Sequence, residues 1–550
     1  MTRRVPVLLC TLVLLSPFLA VAVLPSCSSA DSPSQAETYV LREWDGDNMI
    51  AMTEMLCNIS ANHTAYRVSG SEGANETADL IAETLEGYGL SVHEENFELP
   101  IWNLGSEASL CVDEDGDRST SDDTFPMISF NADAYSWPTA ENGSFGGLVT
   151  LPLPVANSRS DTGRNPINET AWNEVNTTGR ILIIGREIRW DYSWETKFIE
   201  KISAETPEAI IFHFSYDWMN YTEDHSQSST GGRPLSYHGS YFWNLEIAIG
   251  SVNYSDGRAL ESLAQNGSKV LMDIPAIISE GTHRNIIADI PASSGSQLVL
   301  IGAHYDTVMC EGYIDNTASI GALLEAARVL QAAKDDGVLE PTYGIRFVAF
   351  AGEELGLVGS LNYVNVHRNE LSDHMAVIVA DCIGARDLKV TDPVSAGGIS
   401  LGPLVSKAVT TLNASYDEEA LDGSDHMSFM YPQVIAGNVN DYWGTDWDLN
   451  GVGRFSNAML FYSYPMTIYD GDGTDPGHIH TSSDSIDDAQ GGWIYDDDIK
   501  TQAQVIALTV LYAVMSEDGD DPGEWAIYLV PSVIIVATVI IFCYLFRPWR

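Results

Sequence analysis

The chain has 550 residues, 77 of them acidic and 27 basic, for a formal net charge of −50. Such a surface repels phosphate backbones, which excludes nucleic acid as a partner; its carboxylate excess resembles that of proteins from salt-loving archaea, where salt screens self-repulsion, and predicts a haloarchaeal origin. Disorder, the other common companion of high charge, is excluded by the 45% hydrophobic content and the recurring strand patterns.

In chain order, the basic MTRR and the apolar LLCTLVLLSPFLAVAVLP read as an export signal within residues 1–30. Residues 36–115 open with two helical patterns, DNMIAMTEMLCNI and ANETADLIAETLEGYGL, and then alternate in LSVHEENFEL, a strand candidate. Residues 116–280 change character: FGGLVTLPL, GRILIIG, EAIIFHF and KVLMDIPAI are short strand candidates separated by Gly, Asn and Ser turns. Residues 281–516 alternate buried-strand and helix patterns, the mark of an α/β region. The apolar run 525–546 is long enough to cross a bilayer. With RPWR after it and EDGDDPG before it, it predicts a single-pass membrane helix with a cytoplasmic C-terminus and the rest of the mature chain outside the cell. N-x-S/T sites at Asn58, Asn62, Asn75, Asn142, Asn176 and Asn253 are compatible with glycans on an exported chain. Between the terminal segments lie about 490 residues, too many for one compact core, so more than one domain is expected.

Chemistry concentrates in 281–516. QLVLIGAHYDTV is a buried-strand pattern that delivers His304 and Asp306 to its C-terminal end, where loops on a rigid frame carry function. Asp315 stands just before the helical NTASIGALLEAARVLQAA and on its own reads as an N-cap. Beside a histidine, it also belongs to the nitrogen and oxygen donor set that zinc accepts, and a carboxylate can bridge two ions about 3.5–4 Å apart. YGIRFVAFAGEELGLVGS ends a second strand with Glu353 and Glu354, adjacent carboxylates that repel unless a cation or proton intervenes. One of the two could bind metal while the other removes a proton from water. HMAVIVADCIG brings Asp381 to the same edge, and HIHTSSDSIDD supplies His480.

These segments resemble peptidase family M28, the co-catalytic zinc aminopeptidases and carboxypeptidases. AHYDTV, IDNTAS, FAGEELGLVGS, ADCIG, DGSDHMSF and IHTSSD follow the family's order over roughly residues 285–515. The resemblance implies a three-layer α/β/α core with a mixed central sheet, two Zn2+ per chain and peptide substrates. Carried over by motif, it makes Asp315 the bridge, His304, Glu354, Asp381 and His480 the other ligands, and Glu353 the general base. Asp306 joins the catalytic set as the group that fixes the tautomer of His304, and Asp425 and His426 become substrate-pocket residues. Cys382, where the family often has an apolar residue, departs from the pattern without touching ligation. The implied reaction is hydrolysis of a peptide bond by a water that Glu353 deprotonates, in most members at peptide N-termini. Carboxypeptidases and zinc-dependent cyclases also occur in the family, and an inactive peptidase-like binding protein is the remaining alternative; the complete donor set argues against it.

The strand order of 116–280 is similar to the β-rich protease-associated domain often inserted in such peptidases, either walling the cleft or serving as a passive solubilising insert. Outside the terminal segments the cysteines are Cys57, Cys111, Cys310 and Cys382, an even set in an expected oxidising location. Three pairings are open, with Cys310–Cys382 preferred because both would leave strands near the metals, and four free, mainly structural thiols are the alternative. Asp470, Asp472 and Asp475 in YDGDGTDPG offer oxygen ligands for Ca2+, although an ordinary acidic turn has the same composition.

Overall fold

The computed structural model describes residues 33–113, 130–152, 169–185, 192–213, 240–391, 399–421, 423–455, 457–463, 479–480, 484–486 and 495–516. The N-terminal part has three helices, α1 (Gln35–Glu43), α2 (Gly46–Asn62) and α3 (Glu72–Gly87). Side-chain caps set where they begin: Asp45 accepts the N–H of Asn48 at α2, and Ser71 accepts that of Ala74 at α3. Strands β1 (Ser91–Leu104) and β2 (Ser109–Asp113) lead into β3 (Phe130–Ala132), β4 (Ser144–Thr150), α4 (Glu169–Glu174), β5 (Ile181–Gly185), α5 (Tyr192–Ala204) and β6 (Ala209–His213). After β7 (Ala248–Val252), α6 (Tyr254–Gln265) and β8 (Lys269–Asp273), the long β9 (Ala276–Ile290) returns the chain beside β1.

The remainder alternates β10 (Leu298–His304), α7 (Ala318–Asp335), β11 (Gly344–Phe350), α8 (Val358–Val366) and β12 (His374–Ala380). It continues through β13 (Leu388–Val390), α9 (Leu401–Leu412), β14 (Tyr416–Glu418), α10 (His426–Met430), α11 (Pro432–Trp443), β15 (Ala458–Tyr462) and α12 (Asp496–Val514). One mixed sheet has the order β1-β9-β11-β10-β12-β15-β13-β14. Helices α1, α2, α7, α9 and α12 pack among themselves in one layer, and α8, α10 and α11 in another, giving an α/β/α core. Strands β10, β11 and β12 run parallel in the middle and are almost wholly buried. That burial on both faces is why their sequences read as continuous apolar runs rather than alternations.

Register then assembles the site. His304 pairs with Phe350 of β11, and Gly302 pairs with Val379 of β12, so His304 comes level with Asp381 just past the strand end. The turn holding Glu353 and Glu354 leaves the same sheet edge.

A second sheet has the order β2-β8-β4-β5-β6-β7-β3, with β4, β5, β6 and β7 mutually parallel. The expectation of a β-rich segment from 116 to 280 is modified here. Helices α5 and α6 lie between its strands, and the sheet also takes in β2 from before residue 116. An aromatic seam joins this part to α11 of the core. Tyr135 lies 5.0 Å from Trp443 and 6.0 Å from Trp243 between ring centroids, and Trp243 lies 5.4 Å from Trp443.

Two expectations are corrected. No helix among the described residues is long and apolar enough to cross a membrane. The expected span 525–546 and the signal segment 1–30 lie outside the described residues, and the described residues form an α/β/α core. The single-pass topology, the lipid bilayer as partner and the cell-membrane location are withdrawn. The proposed Cys310–Cys382 disulfide is also absent: Cys57, Cys111, Cys310 and Cys382 are free thiols. The Cys382 N–H is tied to Asn316, and the Cys310 carbonyl takes the hydroxyls of Ser60 and Thr307, so separate partners hold the two backbones. Burial and nearby carboxylates push both thiols well up, which keeps them protonated. Among the glycan candidates, Asn253 is buried and caps α6, accepting the Asp256 N–H at 2.8 Å. The calcium candidates Asp470, Asp472 and Asp475 lie outside the described residues.

Candidate metal centre

The loop after β10 turns at Gly312, whose φ of 63° is left-handed. A Cβ there would meet Thr307 Cγ2 at 2.3 Å and the Asp315 carbonyl at 2.4 Å, so only glycine fits the approach. One wide helical turn, Tyr313–Thr317, precedes α7 and carries Asp315 in a non-helical conformation, without an N-cap bond. The N-cap reading of Asp315 therefore fails. Asn316 fastens this turn to the end of β12: its amide donates to the Ala380 carbonyl at 3.0 Å and accepts the Cys382 N–H at 3.1 Å.

Two donor clusters result, His304 with Asp315 and Asp381, and Asp315 with Glu354 and His480. Within each, one donor atom per residue lies within 4.8 Å of the others. His304 Nε2 is 3.3 Å from Asp315 Oδ1 and 3.5 Å from Asp381 Oδ1. His480 Nε2 is 2.9 Å from Asp315 Oδ2 and 3.2 Å from Glu354 Oε1. Asp315 thus presents one oxygen to each cluster.

His304 Nδ1 donates to the backbone carbonyl of Asp306 at 3.1 Å, which leaves Nε2 as the ligand atom of the neutral ring. The Asp306 carboxylate, expected to fix that tautomer, is 3.7 Å from Nδ1 and has another task. Its two oxygens accept the N–H groups of Glu353 and Glu354 at 3.2 and 3.3 Å, bracketing the turn that carries both. Trp443 Nε1 holds the next residue of the turn through the Leu355 carbonyl at 3.0 Å.

The charge balance calls for cations. Burial, helped by Glu354, Asp381 and Asp425 and opposed by His304, holds the Glu353 carboxyl well above the usual range. Burial and Asp315 push Glu354 up to about 7 against the pull of His480. Burial opposes charge on His480, yet Glu354 and Asp315 raise it to about 10. Buried His304 Nε2, Glu354 Oε1 and Asp381 Oδ1 have no hydrogen-bond partner. Unsatisfied buried atoms of this kind are costly, and imidazole and carboxylate donors sharing one carboxylate fit zinc.

Of the pocket candidates, Asp425 is fully buried at the start of α10, with its carboxyl pushed to about 7 by burial and the nearby Asp381 and Asp306 against His304. His426 Nε2 donates to the Leu421 carbonyl at 3.1 Å. Two residues were not singled out from the sequence. Asp484, within the HIHTSSDSIDD segment, accepts the N–H groups of Ile314 and Asp315. Arg67, within YRVSGSEG, is buried and donates to the carbonyls of Leu56, Tyr305 and Glu311 and to the Thr317 hydroxyl. Their partners are mostly backbone groups, which leave no pattern in a sequence. Proximity of each to a donor motif was the available signal.

The fold and the shared-carboxylate site are those of a metallo-exopeptidase, with two adjacent donor clusters that form a candidate two-zinc centre. Residues 285–494, which contain all five donors, match Peptidase family M28. The chain is 25% identical over 390 residues to aminopeptidase YwaD of Bacillus subtilis, covering 69% of this chain and 72% of that protein. Leucine aminopeptidase 2 of Arthroderma otae is 23% identical over 474 residues, covering 82% and 83% of the two chains. A probable lipoprotein aminopeptidase, LpqL, of Mycobacterium tuberculosis is 24% identical over 321 residues, covering 58% of this chain and 55% of that protein. In fold, the zinc aminopeptidase of Bacillus subtilis superposes with a TM-score of 0.56 at 20% identity, covering 87% of this chain and 97% of that chain. The peptidase M28 precursor of Shewanella amazonensis gives 0.56 at 18% identity, covering 87% and 95%.

Proposed function

We propose that this protein is a zinc aminopeptidase, removing residues from the N-termini of peptides. The observation that carries the reading is the sharing of Asp315 between two donor clusters, with Glu353 beside them. His304 and Asp381 would hold one ion, Glu354 and His480 the other, and Asp315 both. Zinc, when bound, supplies a Lewis acid that lowers the pKa of a water toward about 7 and offsets charge on the scissile carbonyl oxygen.

Glu353 takes the proton of the attacking water and returns it to the departing amine, the division of labour its unligated carboxylate allows. Asp306 keeps that carboxylate aimed by holding the backbone of the turn. The surplus carboxylates around Glu353, including buried Asp425, suit a positively charged peptide amine, which favours the N-terminal end of the substrate. A carboxypeptidase would instead need a cation for the substrate carboxylate, and the named site residues are carboxylates and imidazoles. The second sheet serves as a protease-associated type of insert walling the cleft, a reading supported by its aromatic seam with Trp443 next to Leu355.

The test is release of amino acids from peptides with free and with acetylated N-termini, in high salt, with and without zinc. Free peptides are cleaved in zinc and acetylated ones are not, and Glu353→Gln lowers kcat by about 10²–10⁴. Equal cleavage of acetylated peptides, or none of either by folded zinc-loaded protein, would overturn the reading.

A further inference from the structure

The two segments that bring Asp315 and His480 together are far apart in sequence and exchange carboxylate contacts. The Asp484 carboxylate accepts the N–H of Ile314 at 2.8 Å through Oδ1 and that of Asp315 itself at 3.1 Å through Oδ2. Its carbonyl accepts the Gly312 N–H at 3.0 Å. In the other direction, Glu311 Oε2 accepts the Ile486 N–H at 2.9 Å. Asp484 is fully buried, although it stands only four residues beyond His480. A buried carboxylate is costly unless its oxygens are bonded, and here one bond falls on the backbone of Asp315, the residue both donor clusters share, and the other on its neighbour Ile314.

We propose that Asp484, supported by Glu311, is a positioning residue for the zinc centre: it locks the His480 segment onto the Asp315 turn and so completes the Asp315–Glu354–His480 cluster. The argument rests on the two-zinc reading of that site. Asp484 belongs to neither donor cluster. It acts by fixing the backbone of Asp315, with His480 held 2.9 Å from the carboxylate that backbone carries. His480 has a left-handed φ of 57°, unusual for a side-chain-bearing residue, so its placement needs outside support. The other cluster draws His304 and Asp381 from strand ends whose register is set by the sheet, and it depends less on this lock.

Groups one shell out from a metal commonly carry 10- to 100-fold in affinity, and that range gives the expected effect. Zinc binding to the full chain is measured by competition with a chromophoric chelator, together with the visible spectrum of the cobalt-loaded protein and circular dichroism. Asp484→Asn keeps one acceptor oxygen but turns an amide toward the second N–H. It is expected to stay folded, bind the zinc of the Asp315–Glu354–His480 cluster roughly 10–100-fold more weakly, weaken the other site less because that site shares only Asp315, and change the cobalt spectrum. Folded Asp484→Asn with two zincs at wild-type affinity and an unchanged cobalt spectrum overturns the proposal. Should Asp484→Asn not fold, Glu311→Gln decides: selective weakening of one zinc supports the lock, and loss at both sites alike or at neither refutes it. The wild-type arm separates the two levels of the argument. If wild type binds no zinc, the two-zinc reading falls and takes this proposal with it, whereas two zincs in both wild type and folded variant sink only the lock.

Discussion

His374, at the start of β12, shows how single side chains are tuned in this core. Its Nδ1 donates to the Glu370 carbonyl at 3.1 Å, and its Nε2 accepts from the Tyr363 hydroxyl at 2.8 Å, so the neutral ring is fully satisfied. Tyr363 in turn accepts from Arg346, which is paired with Asp289. Burial, with Arg346 and His367 adding positive charge nearby, lowers the His374 pKa to about 4 against the pull of the Glu370 carbonyl. Because the folded value lies below the unfolded one, the unfolded chain binds the extra proton between about pH 6.5 and 4. The contribution is present above that window and is lost as pH falls through it, by on the order of 3 kcal/mol. Denaturant unfolding at pH 7 and pH 4 checks this: His374→Gln should show a smaller acid loss than wild type, and equal losses would refute it. In the sequence, His374 was only the polar start of a strand, because what tunes it are the neighbours that β11 and α8 supply.

At the scale of elements, the central strands were legible and the braces between them were not. Strands β10, β11 and β12 announced themselves as apolar runs ending in donors, since a parallel strand buried on both faces has no polar positions to hide the pattern. Strands β2, β3 and β7 and the helices of the second sheet went unread, and of these β3 is only three residues long. Arg67 is the clearest brace. From the segment between α2 and α3 it reaches the Tyr305 carbonyl at 3.0 Å, the Glu311 carbonyl at 2.9 Å and the Thr317 hydroxyl at 2.5 Å, on both sides of Gly312. Thr307 answers by donating its N–H to the Arg67 carbonyl at 3.1 Å. A lysine has one ammonium point where the guanidinium has a fork. Arg67→Lys should therefore leave buried acceptors unpaired and lower stability by about 2–4 kcal/mol, read as a shift in urea midpoint at constant m. A shift under about 0.5 kcal/mol, the range of neutral surface changes, would show that the brace is dispensable.

The whole molecule combines an acidic surface with an interior that concentrates negative charge at one sheet edge. The net charge of −50 sets the conditions under which the chain should be studied, because salt screens the repulsion among its surface carboxylates. The apolar terminal segments drew the sequence reading toward a membrane protein, whereas the described fold is an α/β/α peptidase core without a helix suited to a bilayer. Asp315 would divide its two oxygens between two zinc ions, and Glu353, in neither donor cluster, would work beside them without binding either. The most direct test is a zinc titration of metal-free protein in high salt, following bound zinc and peptide turnover together in wild type and Glu353→Gln. Two zincs per chain in both proteins, with turnover only in wild type and maximal at the second equivalent, is the predicted result. Saturation at one zinc or none, or turnover that survives Glu353→Gln, would contradict it.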